Sequence, residues 1–193
     1  ARDRAGVGDV PTSHKQVLRS PSMPARRSRL LAALLCAVLT CGGLVVAHAQ
    51  AEQAATLAIG GAVPHPLTVS WADLQSMPRA AVTFTDHGTT TTYEGVRVSE
   101  LLTRAGAPLG SDLRGPALAT YVLASAKDGY QVVFSLGELD PDLSGSRIIV
   151  ADRADGKPLD GERGPFRIVS PQDTRGARSI RMLQRLEVVT LRK

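Results

Sequence analysis

The sequence predicts a single α+β domain in which mixed or antiparallel strands outnumber a few short helices. Three observations predict it. Runs rich in β-branched and aromatic residues recur from residue 56 to the C-terminus, separated by Gly, Pro and Asp turn signals. Serine-based capping signatures begin the helical segments, all of which are short. No internal repeat or low-complexity tract is present, so the elements belong to one unit.

The first half of the domain is predicted to contain four strands and two helices. Ser70 and Asp73 form a capping box for a helix that ends before Pro78. Ser99 is predicted to cap a second helix, and Gly106 to follow its last turn. The strands are predicted at residues 56–59, 67–70, 81–85 and 89–93, with a turn at residues 86–88 between the last two.

The second half is predicted to be strands joined by tight turns. Ser135 and Glu138 form a capping signature for a short helix. Lys127-Asp128-Gly129 and Ala154-Asp155-Gly156 are turn sequences whose glycines accept a positive φ. The strands are predicted at residues 118–125, 130–134, 148–151, 166–169 and 186–191.

The N-terminal quarter is interpreted as an export signal. Arg26, Arg27 and Arg29 precede an apolar stretch at residues 30–46 and an Ala-His-Ala site that ends at Ala49. We therefore predict residues 1–22 to be a mis-assigned upstream extension, 23–49 a signal peptide, and 50–193 the domain. An uncleaved anchor is the alternative reading of 23–49. Otherwise the protein is expected to be periplasmic or secreted, with no membrane span after cleavage.

The charge and the cysteines of the predicted domain exclude several classes of function. Seven of the 23 Lys and Arg and two of the 18 Asp and Glu precede Gln50, which leaves 16 of each sign in the domain. Its net charge is near zero, and a nucleic-acid partner is not expected. Both cysteines, Cys36 and Cys41, lie in the predicted signal peptide. Cysteine catalysis and thiolate metal sites are therefore not expected in the exported form.

Five short motifs follow one another along the predicted domain. They are Tyr93-Glu94-Gly95-Val96 before Leu101-Leu102, Asp128-Gly129-Tyr130 before Ser135-Leu136, Asp155-Gly156-Lys157-Pro158-Leu159, Gly164-Pro165-Phe166-Arg167-Ile168-Val169, and Gly176-Ala177-Arg178. In this order they resemble the molybdopterin-binding domain of the sulfite oxidase family. The resemblance covers residues 57–189 and implies a sulfite-oxidase-like fold, molybdopterin as cofactor and an oxidoreductase function.

The resemblance also implies cofactor-binding residues. Arg175, Arg178 and Arg181 correspond to the region that holds the terminal phosphate of the pterin, for which the arginine fork is well suited. Asp128 and Tyr130 correspond to a segment that lines the pocket. The alternatives are a solvated basic strand edge for the arginines and a simple hairpin turn for Asp128 and Tyr130.

The family's molybdenum-binding cysteine is missing from its expected interval. Residues 86–92 read Asp-His-Gly-Thr-Thr-Thr-Thr, so oxygen and imidazole are the donors available there. Asp86 and His87 are the weak candidates for a metal ligand, and exposed turn residues are the alternative interpretation.

Two functions follow from this departure. The first is an exported molybdopterin-binding oxidoreductase-like domain, degenerate in that no thiolate binds molybdenum. The alternative is a non-catalytic periplasmic binding or interaction module that kept the fold but lost the metal site. The expected partners are a small anionic ligand or a redox or protein partner in the periplasm.

Overall fold

A computed structural model describes residues 55–191 of the chain. The predicted upstream extension and signal peptide lie outside these residues. Of the helices between residues 55 and 191, none combines the length and the apolar character needed to cross a membrane. The strands are β1 (Thr56–Gly61), β2 (Leu67–Ser70), β3 (Ala80–Asp86), β4 (Thr89–Arg97), β5 (Thr120–Ala126), β6 (Gln131–Ser135), β7 (Ile149–Ala154), β8 (Lys157–Pro158), β9 (Arg167–Val169) and β10 (Leu183–Thr190).

Four short α-helices lie between the strands. They are α1 (Trp71–Ser76), α2 (Val98–Ala105), α3 (Leu136–Leu139) and α4 (Pro141–Ser144). Single turns of 3₁₀-helix cover Gly110–Asp112, Gly115–Ala119, Gly161–Arg163 and Gly176–Arg178. The predicted balance of mixed sheets and a few short helices is thereby confirmed.

The strands form two five-stranded sheets. The first has the order β2-β1-β10-β5-β6, in which only the β1–β10 pair is parallel. The second has β4 between β3 and β7, and both β8 and β9 pair with the far side of β7; all its pairs are antiparallel. Because the chain returns from the second sheet to the centre of the first through β10, the segment between β9 and β10 connects the two sheets.

The core has two parts. The larger packs the inner face of the first sheet and α2 against one face of the second sheet, from which Val96, Val150 and Ile168 contribute. The smaller lies on the other face of the second sheet and includes Phe84 and Tyr93. β7 is therefore buried on both faces along Ile149–Asp152, which explains why its first three residues are all apolar and do not alternate with polar ones.

The local signals placed most element boundaries correctly. The capping box between Ser70 and Asp73 is present, and Gly106 follows α2 in the left-handed region at φ +78°. Several boundaries of the prediction were wrong: β4 continues to Arg97, and β10 begins at Leu183. α2 begins one residue before Ser99, with Arg97 as an N-cap whose side chain does not cap the helix and bonds instead to the carbonyl of Ser146. β5 begins at Thr120 because Gly115 and Pro116 start a 3₁₀ turn that extends the preceding loop.

Candidate functional site

A two-residue hairpin turn brings Asp86 to the loop between β9 and β10. His87 and Gly88 both have positive φ, +48° and +79°, the geometry of a type I′ turn. An open cleft of about 500 Å³ lies between this turn and the loop; we call it the loop cleft. Its lining residues are Asp86, His87, Thr174, Arg175, Gly176 and Ala177.

Gly176 permits the close approach of the turn to the loop. A Cβ atom at this position would lie 2.8 Å from Oδ2 of Asp86. A side chain at residue 176 would therefore displace the Asp86 carboxylate from its present position. The sequence analysis assigned Asp86 and His87 to one turn and Arg175 to a distant basic segment, and the fold brings all three to one cleft.

Arg167, on β9, is a buried arginine with no carboxylate partner among the described residues. It is 8% exposed, and its Nη1 donates a 2.9 Å hydrogen bond to the hydroxyl of Tyr93. Its guanidinium carbon also lies 5.1 Å from the centroid of the Tyr93 ring. Its buried Nε has no hydrogen-bond acceptor. A buried charge with an unsatisfied donor is costly, so this arrangement calls for a functional explanation.

The environment of Arg167 is electropositive. Burial lowers the pKa of its guanidinium, and the nearby charges of Arg181 and Arg163 lower this pKa further, while Tyr93 and Asp86 oppose the shift. Arg163 also lies 3.6 Å from the carboxylate of Asp160, whereas no carboxylate lies within 4.0 Å of Arg181 among the described residues. An anion that entered this region would interact favourably with the guanidinium groups of Arg167 and Arg181.

Arg178 has a different environment from the other predicted phosphate ligands. Its Nε and Nη2 donate to the two carboxylate oxygens of Asp173 at 2.9 and 2.6 Å, and its Nη1 lies 2.8 Å from Oε1 of Glu138. The hydrogen bond to Asp173 is the main cause that raises the pKa of Arg178, and burial opposes it. The guanidinium also stacks 5.1 Å from the Phe134 ring centroid. Arg178 therefore attaches the loop to β6 and α3, whereas Arg175 and Arg181 are exposed.

Tyr130 and Asp128 connect the β5–β6 hairpin to the same loop. The hydroxyl of Tyr130 donates a 2.9 Å hydrogen bond to the carbonyl of Ala177, next to the cleft lining. Asp128 accepts from the backbone N–H of Tyr130 at 3.0 Å, which is a turn interaction. Tyr130 is half exposed, and its hydroxyl contacts the loop at Ala177, which lines the loop cleft. The cofactor-binding roles of these residues and of the three arginines remain predictions.

Sequence reasoning did not single out Arg167 and Tyr93 as site residues, although both lie in the motifs. The available signal was an arginine inside the short apolar strand Phe166-Arg167-Ile168-Val169. An arginine in such a strand either extends into solvent at a sheet edge or is buried because it has a functional role. Its burial depends on the pairing of β9 with β7, which brings it beside Tyr93 of β4.

The donor set suits an anionic group better than a thiolate-bound metal. The Nε of Arg167 is a buried donor without an acceptor among residues 55–191, and an anionic oxygen is the acceptor that a guanidinium pairs with best. By contrast, residues 55–191 contain no cysteine, and no group of three or more His, Cys, Asp or Glu side chains within them is arranged to hold a metal ion. The residues present therefore suit an anionic group such as the phosphate of a pterin cofactor, and no thiolate is available among residues 55–191.

Residues 44–193 match the model of a protein family described as the oxidoreductase molybdopterin binding domain. The chain belongs to this family. The predicted family, fold and molybdopterin cofactor are thereby supported, and the family relationship assigns the cofactor by resemblance. No match is found among curated proteins.

A solved structure supports the same fold. The domain is similar to the sulfane dehydrogenase SoxCD from Paracoccus pantotrophus, with a TM-score of 0.57 and 23% sequence identity. The match covers 71% of this chain and 38% of the other, so the chain spans well under half of that protein's length. At this identity the similarity concerns the fold alone.

Proposed function

We propose that this member of the molybdopterin-binding family binds an anionic ligand between Arg167 and the loop cleft, and that its domain supplies no thiolate to a metal. The observation that carries the proposal is Arg167, a buried guanidinium with an unsatisfied Nε and no carboxylate partner among residues 55–191. A ligand oxygen at Nε would satisfy the buried donor and compensate the buried charge.

The hydrogen bond from Nη1 to Tyr93 orients the guanidinium before any ligand arrives. An oriented donor loses little conformational entropy when a ligand binds, which favours affinity. Arg163 and Arg181 add positive charge nearby, and Arg175 contributes an exposed arginine in the cleft lining. In this proposal Arg178 positions the loop through its two ion pairs and does not contact the ligand.

Direct measurement of anion binding tests this role of Arg167. Isothermal titration of the purified protein with inorganic phosphate should give one site, and Arg167→Met should weaken it roughly 10-fold to 100-fold, the loss expected for a charge-assisted hydrogen bond. Arg185→Met removes the same charge from an exposed position on β10 and serves as the control. Equal losses in the two variants would show a general charge effect and contradict the proposal.

The cofactor itself is tested by composition. The protein is purified from a host that makes molybdopterin, and molybdenum is measured together with pterin fluorescence after acid oxidation. We expect pterin without stoichiometric molybdenum, because the domain offers a site for the anion but no cysteine for the metal. Stoichiometric molybdenum would overturn the degenerate reading of the site. The absence of both would favour the alternative, a binding module without the cofactor.

Export is part of the same proposal. The basic residues, apolar stretch and Ala-His-Ala site at residues 23–49 support cleavage after Ala49 and a periplasmic or secreted product. Mass spectrometry of the protein recovered from the periplasmic fraction should find Gln50 at its N-terminus. Recovery of the protein only from the cytoplasm, with these residues retained, would contradict this part.

A further inference from the structure

Asp86 is a carboxylate inside a cleft whose surroundings are positive. It is the one acidic residue among the described residues that line the loop cleft, and Arg175 lines the same cleft. Its Oδ2 lies 2.8 Å from the position that a Cβ atom on Gly176 would occupy. The carboxylate therefore points towards the loop and away from the β3–β4 ladder, where a ligand in the cleft would meet it.

The Asp86 carboxylate keeps free capacity to accept hydrogen bonds. Its one ionic neighbour within 4.0 Å, among residues 55–191, is the almost fully exposed His87, whose Nε2 lies 3.7 Å from Oδ1. That distance is too long for a hydrogen bond. Asp86 ends β3, and Tyr93, the hydrogen-bond partner of Arg167, lies on the adjacent strand β4. Burial is the main cause that lowers the pKa of Arg167, and the charge of Asp86 opposes that shift.

An ionised carboxylate accepts hydrogen bonds and donates none. Beside a bound anion it repels any oxygen that carries no hydrogen, and it attracts an oxygen that can donate an O–H. A site that combines arginines with one carboxylate therefore distinguishes protonated anions from fully ionised ones. The carboxylate attracts an anion that carries an O–H group and repels an anion that carries none.

We infer that Asp86 selects the ligand of this site: the loop cleft prefers small tetrahedral oxyanions that retain an O–H group, such as hydrogen phosphate, over fully ionised ones such as sulfate. This inference rests on the proposed anion site and adds its selectivity. The arginines supply the attraction common to both ions, and Asp86 supplies the difference between them.

The test compares inorganic phosphate with sodium sulfate at neutral pH, where phosphate keeps a proton and sulfate does not. Titration calorimetry of the purified protein should show phosphate bound roughly 10-fold to 100-fold more tightly, the range of one charge-assisted hydrogen bond. Asp86→Asn keeps the shape of the residue but removes the charge and adds an N–H donor. It should strengthen sulfate binding and bring the two affinities to within about threefold of each other.

Two further variants make the result specific. Glu100→Gln removes one negative charge from α2, where Glu100 pairs with Arg104, and it should leave the preference for phosphate unchanged. Asp86→Ser provides a second, smaller substitution, and thermal unfolding verifies that each variant is folded. A loss of preference in Glu100→Gln equal to that in Asp86→Asn would overturn the inference.

The outcomes separate this inference from the proposed function. Equal binding of phosphate and sulfate to the unsubstituted protein, lost in Arg167→Met, would leave the anion site standing and overturn the role of Asp86. An unchanged preference in Asp86→Asn would do the same. Failure of the folded protein to bind either ion would overturn both proposals.

Discussion

The strongest test of the fold concerns the ion pair between Arg79 and Asp152. The carboxylate of Asp152, on β7, is fully buried and accepts two hydrogen bonds from Arg79, at 2.8 and 2.6 Å, and a third from Gln75 of α1. The bonds to Asp152 raise the pKa of Arg79 despite the burial that opposes them. This contact ties α1 and the segment before β3 to a strand that is buried on both faces.

The two partners differ in exposure, and this difference predicts unequal effects of removing them. Arg79→Met leaves a buried carboxylate with one neutral donor, and we expect a loss of about 3–5 kcal/mol in the free energy of unfolding. Asp152→Asn leaves Arg79, whose side chain is 29% exposed and can reach water. We expect this second loss to be about 1–3 kcal/mol.

Urea denaturation followed by circular dichroism at neutral pH measures both values. The double variant Arg79→Met/Asp152→Leu should recover most of the loss, because apolar residues of similar size often replace a buried ion pair without cost. A loss below about 1 kcal/mol for Arg79→Met, or a larger loss for Asp152→Asn than for Arg79→Met, would refute the reasoning.

Three further predictions concern single contacts. Gly95→Ala should lower the free energy of unfolding by about 3 kcal/mol or more in the same denaturation assay. The reason is that the new Cβ would lie 1.9 Å from the carbonyl oxygen of Val150 and would push β4 away from β7. A decrease of less than about 1 kcal/mol would contradict this. Arg178→Ala should cost about 1–2 kcal/mol, since its ion pairs are partly screened by solvent, and an unchanged midpoint would show that the pairs contribute nothing. The hydroxyl and N–H of Ser70 donate to Asp73 and lower its pKa. The capping box should therefore stabilise α1 at neutral pH, and this stabilisation should be lost as the pH falls through the lowered pKa. If NMR shows that Asp73 titrates with the usual pKa of an aspartate, the prediction is wrong.

The sign of the last effect follows from linkage. A carboxyl group whose pKa is lower in the folded protein than in the unfolded chain binds fewer protons when folded. Its contribution to stability is complete above the unfolded pKa, near 3.9 for aspartate, and disappears at lower pH. Ser70→Ala removes the hydroxyl donor and is the matched control, in which the titration of Asp73 should move back towards the usual range.

Local chemistry was sufficient to predict much of the chain from the sequence. The turn at Asp155 and Gly156 has both φ angles positive, as its sequence indicated, because few other residues tolerate that conformation. The capping box of α1 depends on residues three positions apart and forms as expected. The order of the motifs was enough to indicate the family, which the match to residues 44–193 confirms.

The site depended on contacts that no local pattern contains. Gly176 and Asp86 are 90 positions apart in the sequence, and their contact exists only because the β3–β4 turn reaches the loop before β10. The same holds for Arg178, which the motif suggested as a phosphate ligand and which the fold pairs with Asp173 and Glu138. Whether a guanidinium is available to a ligand is decided by the carboxylates that tertiary packing brings to it.

The sequence by itself determined the fold class, the turns, most of the helix boundaries, and the absence of a thiolate from residues 55–191. These depend on residue types and on neighbours a few positions apart. Only the tertiary structure decided that Arg167 is buried with no carboxylate partner among residues 55–191 and that Asp86 lines the loop cleft. Burial and the pairing of charges are properties of distant segments brought together, because the cost of a buried charge depends on everything that surrounds it.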